Sequence, residues 1–246
     1  LAKAPFDAKQ AREHQEAWAK YLGVKIESPT SAGGTMVLIP PSDEVPKSFY
    51  IGKYEVTQAE WEKVMGYNPS EFGPNNANVK GLDTSKFPVE KVSWYDSVEF
   101  CNKLSVQEGL KPYYDLKVTK REAKDGKQIE KAEVKILGGS GYHIPTDPEW
   151  THGCLAGAKT QYHFGGQHEQ LPEYAWFDQN SDGRTHTVGE KKPNAFGLFD
   201  IHGNAREWNE ELLTNADGGP VRVYRGGAWN FTAANCELRH RHGHGP

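Results

Sequence analysis

Asn194 to Trp208 reads Asn-Ala-Phe-Gly-Leu-Phe-Asp-Ile-His-Gly-Asn-Ala-Arg-Glu-Trp, and this stretch decides the fold. Phe196, Leu198 and Phe199 supply apolar anchors. Asp200, Gly203, Asn204 and Glu207 then crowd polar groups into one irregular turn. Gly203-Asn204 is a tight-turn signal, because both residues tolerate positive φ. Two carboxylates beside main-chain carbonyls resemble a hard-cation site, since calcium takes about six to eight oxygen ligands from such loops. The plainer alternative is a buried turn whose carboxylates accept backbone N–H bonds.

Around this turn the chain has 246 residues, with Lys+Arg 29 against Asp+Glu 33 and a net charge of −4. No basic field points to nucleic acid or an anionic membrane. No apolar run approaches the roughly 20 residues that a membrane-spanning helix needs. Seven Trp, eleven Tyr and ten Phe offset a modest hydrophobic fraction, while Gly 26 and Pro 15 call for many turns. The expectation is an α+β chain: one irregular mixed domain with little regular secondary structure. The chain opens on Leu1 rather than Met, so a fragment is expected, with an extracytoplasmic address if upstream residues are missing. Cys101, Cys154 and Cys236 are too few and too widely spaced for a disulfide framework.

Helices are marked by their caps. Asp7 with Gln10, Thr57 with Glu60, Ser93 with Asp96 and Thr146 with Glu149 each form a capping-box pattern. The first predicts a helix over 7–22 with Ala11, His14, Trp18 and Tyr21/Leu22 on one stripe. The others predict inner faces of Trp61/Val64/Met65, of Trp94/Val98/Cys101/Leu104, and of Trp150/Cys154. Residues 28–34 read as loop. Strands are expected at 36–39, 49–56 and 221–224. A hairpin is expected over 114–137, turning at Asp125-Gly126 and projecting into solvent. The division expected is an N-terminal helix and linker over 1–30, then one domain over 31–246.

Five blocks now stand in order. They are Lys53-Tyr-Glu-Val-Thr-Gln-Ala-Glu-Trp61, Pro88 to Asp96 with Phe100-Cys-Asn102, Tyr142-His-Ile-Pro-Thr-Asp-Pro-Glu-Trp150, Asn194 to Trp208, and Arg225-Gly-Gly-Ala-Trp-Asn230. Together they resemble the formylglycine-generating enzyme, or sulfatase-modifying factor, family over roughly residues 34–246. The resemblance implies a C-type-lectin-like fold with structural calcium. Its calcium ligands would be Asp200, Gly203, Ala205 and Glu207, and Asp182 would belong to a second site. That second site lacks its expected Asn near Ala175. A Gly-x-Phe-x-Met-Gly stretch after Pro41 and a closing Gly-Phe-Arg strand are also missing.

The same resemblance implies an oxidase with two cysteines five residues apart, holding copper(I) through soft thiolates. Here the second position is Cys236 and the first is Phe231. Ala228, Arg206 and Glu237 stand where a serine, a tryptophan and an arginine are implied. Cys236 is thus the one remaining catalytic candidate, and copper is not expected. The leading expectation is a pseudoenzyme: a ligand-binding or accessory domain with a degenerate oxidase site. It would present Arg206, Trp229, Phe231, Glu237, Arg239, His240, Arg241 and His242 to a protein, small-molecule or glycan ligand. Two alternatives stay open, a divergent oxygen-dependent metallo-oxidase and a retroelement-diversified variable binding protein. His240, His242 and His244 alternate, and on a strand they would share one face, either as a transition-metal arrangement or as a polar surface.

Overall fold

A computed structural model describes residues 3–215 and 217–246. Four helices carry the capping boxes that the sequence predicts. Helix α1 (Ala8–Leu22) starts at Asp7 and closes on Gly23, whose φ of 68° is the left-handed cap that glycine adopts without strain. Helices α2 (Gln58–Met65), α3 (Trp94–Gln107) and α4 (Asp147–Leu155) begin at Thr57, Ser93 and Thr146, each with its reciprocal side-chain bond. Trp61, Trp94 and Trp150 are all buried, as the apolar periodicity requires.

The buried face of α1 agrees with the expected stripe at Ala11 and departs from it beyond. Ala11, Gln15 and Ala19 turn inward, whereas Tyr21 is exposed and Trp18 packs edge-on against it. Small side chains let the helix approach closely. Gln15 is satisfied there, because its Nε2 donates to the carbonyls of Leu38 and Phe196 at 3.0 and 3.2 Å.

Three small antiparallel sheets complete the chain. The first joins β1 (Glu27–Pro29), β2 (Thr35–Ile39) and β3 (Phe49–Gly52) in that order, with Val37 opposite Ile51. Strand β1 lies where only loop was expected. Strand β3 stops at Gly52 instead of reaching Val56, because the chain bends sharply: a Cβ at Gly52 would lie 2.9 Å from the Tyr54 carbonyl. The second sheet is the predicted hairpin, β4 (Tyr114–Arg121) and β5 (Ile129–Ile136), with Gly126 at φ 69° in the turn. It is docked rather than free. Tyr114 and Ile129 are buried, Arg121 forks onto Glu99 of α3, and Ile129 N–H donates to Asp96 at 2.8 Å.

The third sheet orders β6 (Glu207–Thr214), β7 (Pro220–Arg225) and β8 (His242–His244). Only β7 was anticipated. The central core gathers Val37, Ile39, Trp150, Cys154, Phe196, Leu198 and Ile201. The 194–208 turn therefore lies between the first sheet, α4 and the third sheet. Among the described residues no helix is long and apolar enough to cross a membrane.

Candidate functional site

Asn204 is the hub of the opening turn. It is fully buried with φ 59°, a left-handed conformation that asparagine tolerates better than most residues. Its N–H donates to the Trp176 carbonyl, its carbonyl accepts from Trp229 N–H, and its Oδ1 accepts from His186 N–H. The Nδ2 donates to Glu55 at 2.7 Å. Gly203 does not take positive φ. Glycine is required there for space, because a Cβ would stand 2.1 Å from the Trp176 carbonyl. Asp200, at φ 59°, makes the left-handed step instead.

Three carboxylates converge beneath this turn. Glu55 accepts from Ala205 N–H at 2.7 Å, Glu207 accepts from Trp150 Nε1, and Asp200 accepts from Gly189 N–H at 2.7 Å. Burial raises all three; the Asp200 charge adds to it at Glu55 and Glu207, Glu207 adds to it at Glu55, and Glu190 adds to it at Asp200. Asp200 is pushed up to about 6 and Glu207 to about 7, while Glu55 rises well above the usual carboxylate range. Asp200 is 2% exposed, yet its Oδ1 has no hydrogen-bond partner. No backbone N–H donates to the Gly203 or Ala205 carbonyl among the described turn bonds. Asp200 Oδ1 and the two carbonyls are oxygen donors of the kind a hard cation takes, although Glu55, Asp200 and Glu207 do not close into a metal-holding group of three side chains among the described residues. Glu55 carried no role in the sequence reading. Asp182 lies apart, exposed, with φ 53°. In that loop Asn180 makes the closing bonds, to Phe177 N–H and the Ala175 carbonyl.

The Gly226-Gly227 turn covers Cys236. Both glycines have positive φ, and a Cβ on Gly227 would meet Cys236 Sγ at 2.6 Å. The thiol is 0% exposed, and burial pushes it up to about 12. Phe231 packs into the same apolar cluster, with Tyr162, Leu171 and Phe177. Below it, His202 Nδ1 donates to the Cys236 carbonyl at 2.9 Å, which leaves Nε2 to accept from His163 N–H. The two imidazoles stack at 5.0 Å, and burial drops His163 to about 2 and His202 to about 4. A buried neutral thiol beside a ring is poor at both nucleophilic attack and metal binding. Among the described residues no three His, Cys, Asp or Glu side chains form a metal-holding group.

The predicted binding residues fall into two groups. Arg206, Phe231, His240 and His242 come together around Tyr224, which the sequence reading did not single out. The Arg206 guanidinium lies 4.4 Å from the Tyr224 ring centre and 5.6 Å from that of Phe231. His242 stacks on Tyr224 at 5.5 Å and meets Phe231 edge-on at 5.3 Å, and His240 stacks behind it at 6.0 Å. His244 is next along the strand but packs toward Trp208. The other group is tied down. Trp229 packs edge-on against Phe72, and Arg239 Nε lies 2.6 Å from Glu237 Oε2 without a hydrogen-bonding angle. Arg241 and buried Arg225 share Asp147.

The sulfatase-modifying factor enzyme 1-like domain model matches residues 20–246. The chain belongs to this family. A curated relative, the chaperone protein LppX of Paenibacillus barcinonensis, is 35% identical over 212 residues, covering 77% of this chain and 72% of that protein. Among solved structures, Treponema denticola variable protein 1 is 31% identical with a TM-score of 0.74, covering 91% of this chain and 95% of that one. PvdO from Pseudomonas aeruginosa, 21% identical with a TM-score of 0.62 over 89% and 92% of the chains, shares the fold. The sulfatase-modifying-factor-like fold is therefore common to this chain and these two structures.

Proposed function

We propose that this domain is a ligand-binding member of its family in which the oxidase site has degenerated. The observation that carries the reading is Phe231 opposite a fully buried, neutral Cys236. Two thiolates would be needed to hold copper(I), and the one sulfur present is sealed beneath the Gly226-Gly227 turn. The likeness to a protein named for its variability, over nearly the whole length of both chains, supports a recognition role for the face next to that turn. The relative named a chaperone supports a protein as the partner. Aromatic rings packed against one another and against Arg206 at one surface favour binding, since less side-chain freedom remains to be lost.

Calcium is part of the same reading. Asp200 and Glu207, with the Gly203 and Ala205 carbonyls, would hold it. Its role is structural: it neutralises the buried carboxylates and fixes the turn from which Arg206 projects. The test of the binding role is a peptide and glycan screen with wild type, Phe231→Ala and His242→Ala. Hits that both variants lose are expected. Hits retained equally by both variants would remove the face from the account.

A further inference from the structure

His143 stands where three elements meet. It belongs to the segment that leads into α4, and its Nε2 lies 3.2 Å from Glu149 Oε2 in the first turn of that helix. Its ring stacks on Tyr113, 4.4 Å between centres and 20° between planes. Tyr113 precedes β4 and closes the base of the hairpin, because its carbonyl accepts from Leu137 and Gly138 N–H at 2.9 and 3.2 Å. The third element is β6. Glu210 N–H donates to the Pro145 carbonyl at 3.0 Å, and its side chain accepts from Tyr114 Oη at 3.0 Å.

The surroundings of His143 are acidic. The charges of Glu149 and Glu210 both act on the ring, and Glu211 beside them accepts from Asp147 N–H. Arg222 of β7 is turned to the Glu210 carbonyl and lies on the Trp94 ring. Among the described residues no lysine or arginine side chain pairs with the Glu149 or Glu210 carboxylate. Glu149 also caps α4, accepting from Thr146 N–H and Oγ1 at 2.9 Å. A protonated ring therefore places a cation between the cap of α4 and the face of Tyr113. Burial opposes that charge, but the bond to Glu149, the two carboxylate charges and the Gly141 carbonyl outweigh it, so His143 is held above its ordinary 6.5. Glu149 is held below its ordinary value, since His143 and Thr146 outweigh its burial. A histidine raised in the folded state contributes fully below about pH 6.5, and the contribution is lost as the pH rises through the folded value.

We propose that His143 is a proton-dependent tie: protonated, it fastens the base of the hairpin to the cap of α4, and neutral, it lets that base open more often. The rest of the hairpin is held by the Arg121 fork on Glu99 and by Ile129 N–H on Asp96, with no histidine involved, so the loosening is confined to the base.

The test is native-state hydrogen exchange on the whole chain, corrected for the intrinsic rate, from about pH 6 to about pH 8.5. Protection of the Leu137 and Gly138 amides is expected to fall as the pH rises, by at most about tenfold per pH unit, the limit for one proton. The Ile129 amide is the internal control and stays level. His143→Gln, never charged, and His143→Arg, always charged, should both remove the slope, with the arginine variant the better protected. Titration of the wild-type ring by NMR gives the same answer without a variant, a value above 6.5. A level wild-type profile, a slope kept by both variants, a parallel fall at Ile129, or a ring that titrates below 6.5 would each overturn the tie.

Discussion

Asp147 offers the sharpest test of how the third sheet is held. It is the first residue of α4, and it receives both Arg225 and Arg241. Arg225 is 3% exposed and lies 4.4 Å from the Trp150 ring centre, and it also donates to the Leu238 carbonyl. Its Nε has no partner, and burial lowers its pKa from the ordinary arginine value. Asp147→Asn would leave this guanidinium buried with no counter-charge. Removing one partner of a buried pair costs about 3–5 kcal/mol. The retained amide oxygen and the contact with Trp150 put this case near the lower bound, about 3 kcal/mol. For a domain of this size that corresponds to a Tm lower by about 6–12 °C. Arg241, at 55% exposed, is the internal control: Arg241→Ala should cost less than about 1 kcal/mol. Urea unfolding of the two variants and wild type measures both. An Asp147→Asn variant within about 1 kcal/mol of wild type, or an Arg241→Ala variant just as damaged, would refute the buried-charge reasoning.

Three further outcomes follow from the same geometry. Saturating calcium should raise the Tm, by an amount equivalent to about 2.7 kcal/mol at a hundredfold excess over Kd, and Asp200→Asn should remove the effect; calorimetry with and without EDTA checks this. His163 is held below its unfolded pKa, so the unfolded chain binds more protons between about pH 6.5 and about pH 2. That contribution to stability is full above pH 6.5 and is lost as the pH falls. Its His163→Phe variant should therefore show a stability slope shallower by about 1.4 kcal/mol per pH unit between pH 4.5 and 6, and an unchanged slope would contradict the assignment. Cys236 should resist alkylation at pH 8 until the protein unfolds, and rapid labelling in native buffer would contradict its burial.

The sequence disclosed what depends on neighbours close along the chain. All four capping boxes join residues three apart, so cap and partner lie in one short window. Glu55 was opaque for the opposite reason. It meets Asn204 and Ala205 across a separation of about 150 residues, and nothing in Tyr54-Glu-Val56 announces it. Strands β6 and β8 were missed because neither has a clear apolar alternation; each exists because β7 lies beside it. The α1 stripe was right at Ala11 and went astray by favouring large side chains at Trp18 and Tyr21, when close helix packing selects Gln15 and Ala19. The sequence did single out Arg206, Phe231, His240 and His242, which the fold brings together around Tyr224. Arg241 was not separable from them, because its pairing with Asp147 spans 94 residues.

The central claim is that the scaffold persists without the oxidation chemistry of a paired thiolate. The direct measurement is to incubate the protein with copper(I) and oxygen and a sulfatase-derived cysteine peptide, and to read the peptide by mass spectrometry and bound copper by elemental analysis. The account predicts an unaltered cysteine and no stoichiometric copper. Catalytic conversion of the cysteine to an aldehyde by copper-loaded protein would contradict it.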